Sequence, residues 1–104
     1  MAVSQVTLLR PLPGRLDDFI SRMQTAKSLY EKAGATVHTH RTVAGPEGNA
    51  VLFSSTVDDW DAWAKAAKVA EGNADFQEFE RLNADDPASE VISTGIIEEF
   101  AIPA

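Results

Sequence analysis

The sequence predicts an α+β fold of the ferredoxin-like type, a four-stranded antiparallel sheet with its helices on one face. Three observations carry the prediction. Four β-rich segments alternate with helical periodicities in the order β-α-β-β-α-(α)-β. The middle two strands are separated by a Gly/Pro-containing turn cluster, which makes them a hairpin. One αβ pair, a hairpin and a second αβ pair together form the split-βαβ arrangement.

The first strand runs from Val3 to Arg10 (VSQVTLLR), rich in β-formers, and stops at Pro11. Pro13-Gly14 then marks a turn. From Leu16 the apolar residues Leu16, Phe19, Ile20, Met23, Ala26 and Tyr30 recur by threes and fours, the period of an amphipathic helix. Asp17 and Asp18 in its first turn and Lys32 in its last suit the helix dipole, and Gly34 supplies a left-handed terminus.

Thr36 to Val43 (TVHTHRTV) reads as the second strand and Ala50 to Val57 (AVLFSSTV) as the third, joined by the turn cluster AGPEGN. Asp58 or Thr56 can cap a second helix carrying Trp60, Trp63, Ala64, Ala67 and Ala70 on one stripe, ended by Gly72. Asn73 can cap a short third helix with Phe76, Phe79 and Leu82 inward, broken at Asp85-Asp86-Pro87 because the residue before proline avoids the helical region. Glu90 to Phe100 (EVISTGIIEEF) is the closing strand.

With 104 residues, positions 1–104 read as one domain, and its 44% apolar and 24% charged content is that of a globular chain. Nine basic against sixteen acidic residues leave a net charge of −7 with no basic cluster, so no nucleic-acid partner is expected. There is no cysteine, which excludes disulfides and thiolate chemistry. No apolar run approaches a membrane span, so no membrane association is expected. The beginning of the sequence lacks a signal-peptide pattern, and a cytoplasmic location is the expectation.

Both faces of the strands carry large apolar residues. Val6 and Leu8 oppose Leu9, Val51 and Phe53 oppose Leu52, and simple alternation sets Val91 and Ile97 against Ile92 and Ile96. The helices of one chain cover one face only. The simplest cover for the other is a second copy related by a two-fold axis, so a homodimer through the sheet face is expected.

The segment TVDDWDAWAKAAKVAEGNADFQEFERLNA followed by EVISTGIIEEF, within this order of elements, resembles the dimeric α+β barrel superfamily. That group includes antibiotic-biosynthesis-type monooxygenases and NIPSNAP-like proteins, and the resemblance spans roughly Val3 to Phe100. It implies a homodimer with a pocket in each subunit between sheet and helices. Several members oxidise electron-rich aromatics with oxygen and no cofactor, and others bind haem. Many monooxygenase-like members carry a histidine on the helix after the third strand. This chain has none between Asp58 and Ala70.

Few residues are suited to chemistry. His38 and His40 stand at i and i+2 on a strand, so both imidazoles share a face about 7 Å apart, placed to act as proton-transfer groups. Their alternative role is as the polar face of an edge strand with Thr36 and Thr42. No neighbouring carboxylate completes a ligand set, so no metal is expected. Arg10 at the end of the first strand could hold an enolate oxygen, and Arg41 reads as an edge charge. Tyr30, Trp60, Trp63 and Phe76 could line an aromatic ligand site, although aromatics at helical spacing also serve as plain core.

Two functions follow. One is a cofactor-independent monooxygenase-like enzyme acting on a small aromatic or polyketide-like metabolite, with His38 or His40 as base and Arg10 as oxyanion partner. The other is a non-catalytic small-molecule-binding or NIPSNAP-like protein.

Overall fold

The computed structural model describes Met1–Ala104. Its elements are β1 (Val3–Pro11), α1 (Leu16–Lys32), β2 (Thr36–Arg41), β3 (Val51–Val57), α2 (Trp60–Glu71), α3 (Ala74–Asp85) and β4 (Ser89–Glu98). The strands form one antiparallel sheet in the order β2-β3-β1-β4, the ferredoxin-like topology expected. No helix is long and apolar enough to cross a membrane.

Cross-strand partners share a face, so the register assigns every side chain. Val3, Gln5, Thr7 and Leu9 of β1 match Val57, Ser55, Phe53 and Val51 of β3 on the helix side. Val6 and Leu8 match Ser54 and Leu52 on the open side. Val37 pairs with Ser55, placing it under the helices, whereas His38 and His40 pair with Ser54 and Leu52 on the open side.

Strand β4 departs from simple alternation. Leu8 pairs with Ser93 and Leu9 with Val91, leaving Ile92 as the extra residue of a β-bulge. The bulge shifts the parity of everything beyond it. Val91 and Ile96, expected on opposite faces, both lie on the helix side beside Leu9 and Gln5, and Ile97 lies on the open side beside Ser4. Apolar residues on both faces of β1 and β3 stand as expected. β4 is an edge strand whose apolar residues are sorted by the bulge.

The core forms where α1 meets β2 and β3. Ala26, Val37 and Phe53 are buried together, with Leu9, Met23, Tyr30 and Phe79 packed around them. Helix α1 buries Phe19, Ala26 and Leu29, while Leu16 and Ile20 of the expected stripe remain exposed. Leu29 takes the place the periodicity gave them, because the helix turns its Ala26–Leu29 side toward the sheet. Gly34, at φ 99°, adopts the left-handed conformation that lets the chain reverse into β2.

Helix ends show which capping expectations hold. Asn73 accepts hydrogen bonds from the backbone N–H groups of Asp75 and Phe76, as expected. The cap of α2 is neither Asp58 nor Thr56 but Asp59, whose carboxylate accepts from the Ala62 N–H; Thr56 is still in β3 and pairs with Thr36. Thr42 lies beyond the end of β2 and closes the hairpin loop, donating to the Glu47 carbonyl and accepting from the Ala50 N–H. Asp86 does more than end a helix. It takes two hydrogen bonds from Arg15 and one from Arg22, tying the start of α1 to the end of α3. The Arg15 guanidinium holds the Asp86 carboxyl below its usual value.

The subunit is a slab of 46 × 37 × 16 Å with a radius of gyration of 14.5 Å. A compact domain of this length has a radius near 13 Å. Its accessible surface is 7043 Å², where a compact monomer of this mass exposes about 5,700 Å². Only 11 of 104 residues are buried.

Candidate functional site

Helix α2 sits loosely over the sheet. None of its residues is buried, because its inward stripe beyond Trp63 consists of alanines too short to fill the gap to β1 and β3. The gap is a cavity of about 310 Å³ whose lining includes Gln5, Tyr30, Ser55, Trp63, Ala66, Ala67, Ala70, Glu71, Phe76 and Glu80. The inward stripe is therefore Trp63, Ala66, Ala67 and Ala70; Ala64, expected on it, does not line the cavity.

Aromatic packing gives the cavity one rigid wall. Tyr30 meets Phe76 edge-on, with ring centroids 5.3 Å apart at 85°, and Phe53 at 5.6 Å. Phe76 is almost fully buried. Trp63 completes the aromatic set from α2 and stacks edge-on against Trp60 at 6.2 Å. Trp60 itself does not line the cavity. It is half exposed, and its indole N–H donates to Glu98, pinning the start of α2 to the end of β4.

The polar groups are sparse. Ser55 is buried on the floor, where its hydroxyl has no partner within the chain, yet no side-chain polar atom is sealed away unpaired. The hydroxyl therefore opens onto the cavity. Glu71 and Glu80 are exposed and stand at the mouth. Burial, and secondarily the charge of Glu80, push the Tyr30 phenol above its ordinary value. Tyr30 is thus a neutral hydrogen-bond donor at physiological pH.

A neutral phenol favoured by the fold contributes stability below the ordinary tyrosine value, and that contribution is lost as pH rises through the elevated one. As Tyr30 is the sole tyrosine, tyrosinate ultraviolet absorbance reads it directly. The midpoint is expected above the ordinary value of about 10, and Glu80→Gln should bring it only part of the way back. A midpoint at or below the ordinary value would place the phenol in water.

Of the residues singled out from the sequence, Tyr30, Trp63 and Phe76 meet in this cavity. His38, His40 and Arg10 do not join them. Both histidines are exposed on the open face, across the sheet from the cavity. Arg10 shares that open side, pairing with Glu47 at 3.0 Å and lying 3.7 Å from Glu90, so its charge is already balanced. Gln5, Ser55, Glu71 and Glu80 were not singled out. The signal for the first two was a polar residue on the inward side of a central strand, and for the last two a carboxylate at a helix-face position next to the aromatic stripe.

No three His, Asp or Glu side chains gather in a way that could hold a metal ion. The cavity lining holds no His, Cys or Met, so among common haem ligands it offers only Tyr30.

No family model matches the sequence, and no curated protein matches it. Solved structures do. A NIPSNAP domain protein from Burkholderia xenovorans is 16% identical, with a TM-score of 0.71 over 100% of this chain and 99% of that one. A protein assigned as an antibiotic biosynthesis monooxygenase, from Bordetella bronchiseptica, is 20% identical, with a TM-score of 0.65 over 96% of this chain and 98% of that one. SnoaB, a cofactor-independent oxygenase from Streptomyces nogalater, is 13% identical, with a TM-score of 0.65 over 97% and 95%. At these identities the likeness concerns architecture: the chain has the fold shared by the NIPSNAP-like and antibiotic-biosynthesis-monooxygenase-like proteins.

Proposed function

We propose that this protein is a homodimer, a dimeric α+β barrel joined through its open sheet faces, whose subunits each bind a small aromatic molecule beneath α2. The observation that carries the binding reading is the cavity itself. It combines an aromatic wall of Tyr30, Trp63 and Phe76 with a few polar groups, Gln5 and Ser55 among them. Its volume of about 310 Å³ lies at the small end for ligand sites. A one- or two-ring molecule suits it better than an extended polyketide.

The dimer rests on surface. The chain exposes roughly 1,300 Å² more than a compact monomer of its mass, while a standard interface covers about 800 Å² per partner. Val6, Leu8, Leu52 and Ile97 supply the apolar centre of the open face.

Cofactor-independent oxygenation is the more specific reading, supported by the shared fold with SnoaB. The base that would take a proton from a bound phenol is then a carboxylate at the cavity mouth, Glu80 or Glu71, rather than His38 or His40. Tyr30 would donate to the developing oxyanion.

Ligand-observed NMR against one- and two-ring aromatics tests binding, and oxygen uptake without added cofactor tests turnover. Hits should be lost when Ala66→Leu and Ala70→Leu together fill the cavity. Uptake lost in Glu80→Gln but kept in the His38→Ala/His40→Ala double variant supports the oxygenase; binding without uptake leaves a binding protein. Hits unaffected by filling the cavity would overturn the site.

A further inference from the structure

The cavity is acidic as well as aromatic. Glu71, the last residue of α2, and Glu80, on α3, both line it, and neither Lys nor Arg does. Seven of the sixteen carboxylates pair with a base: Glu47 and Glu90 with Arg10, Asp18 and Asp86 with Arg15, Glu31 with Lys27, Glu78 and Asp85 with Arg81. Glu71 and Glu80 pair with none within 4.0 Å. Lys65 and Lys68, the two bases of α2, do not line the cavity.

Acidic residues at a surface are ordinarily left to water. Here a second feature points inward. Ser55, only 6% exposed, carries a hydroxyl with no partner in the chain, on the same cavity floor. That hydroxyl opens onto the cavity, free to bond to water or to a ligand group that takes the water's place. The site therefore offers an aromatic wall, a buried hydroxyl and two unneutralised carboxylates within one small volume. Electron-rich ring faces and carboxylates both attract a cation, and both disfavour an anion. The chain's net charge of −7 adds to this bias.

We infer that the ligand is an aromatic amine in its protonated form: a one- or two-ring body against Tyr30, Phe76 and Trp63, with its ammonium group directed to Glu80 and Glu71. This rests on the binding reading above and narrows it to a charge class. The same two side chains disfavour an aromatic carboxylate.

Calorimetry with three probes that share the indole body tests it: tryptamine as the ammonium, 3-ethylindole as the neutral body and indole-3-propionate as the carboxylate. The expected order is tryptamine tightest and indole-3-propionate weakest, with at least about tenfold between them at low salt, as two partly exposed ion pairs allow. The gap should shrink as salt is raised. Glu71→Gln/Glu80→Gln should close most of it by weakening tryptamine and leave 3-ethylindole within about twofold. Asp58→Asn/Glu99→Gln, which removes the same two charges from exposed positions outside the cavity, should leave the order intact; if it closes the gap as the cavity pair does, only the overall charge is at work and the inference falls. Equal binding of all three probes would overturn the amine assignment and keep the aromatic site. Binding of none would remove both.

Discussion

A Leu52→Asp protein should sediment with the mass of one chain, 11.2 kDa, and the unaltered protein, as the proposed dimer, should sediment at twice that. Leu52 and Leu8 are cross-strand partners at the middle of the open face, one on each central strand. Burying a leucine stabilises by about 1.5–3 kcal/mol, and the two-fold axis applies the substitution twice. An aspartate there loses that contribution and sets like charges near the axis, so association should weaken by at least about a hundredfold. The control lies on the opposite surface. Leu82→Asp on α3, already 37% exposed, should leave the mass unchanged. An undiminished dimer in Leu52→Asp would show that the open face is not the contact.

Phe76→Ala should cost about 3–5 kcal/mol in urea unfolding, the usual loss for a buried phenylalanine. Phe76 is 5% exposed and packs edge-on against Tyr30, joining α3 to α1. A protein with so few buried residues cannot spread this loss, and the figure is a large part of the ordinary stability of a small domain. The cavity wall would go with it. Phe100→Ala, at a site 82% exposed, should change stability by no more than about 0.5 kcal/mol. A loss below about 1 kcal/mol for Phe76→Ala would mean that the site repacks freely, and the rigid aromatic wall would not exist.

Much of the scaffold was legible because the local signals agree with one another. The periodicity of α1, the Asn73 cap and the break before Pro87 each act within a few residues of sequence, so all seven elements appear in the expected order. What the pattern did not carry is tertiary. The bulge at Ile92 inserts one residue into β4, and period-two counting across it assigns Val91 and Ile96 to opposite faces when they share one. Asp58, Asp59 and Thr56 can each cap a helix, and the path of the chain out of β3 chooses Asp59.

The candidate site was half legible. Tyr30, Trp63 and Phe76 announce themselves by type and spacing, yet their meeting depends on three elements converging. The histidines drew attention because imidazole is chemically versatile, and the side chain's versatility says nothing about which side of a sheet it occupies. Register does, through the pairing of His38 with Ser54 and His40 with Leu52. Glu71 and Glu80 are ordinary helix-surface residues by sequence. Their significance lies in the alanine stripe beside them, which leaves room where most helices would bury a leucine.

Amide NMR spectra recorded during titration with an aromatic amine test the account most directly, since they locate the ligand without presuming any activity. Shifts concentrated on Tyr30, Ser55, Ala66, Ala70 and Phe76, with Val6, His38, His40 and Leu52 undisturbed, are the predicted result. Shifts centred on the histidine-bearing face would contradict it and move the functional surface to the other side of the sheet.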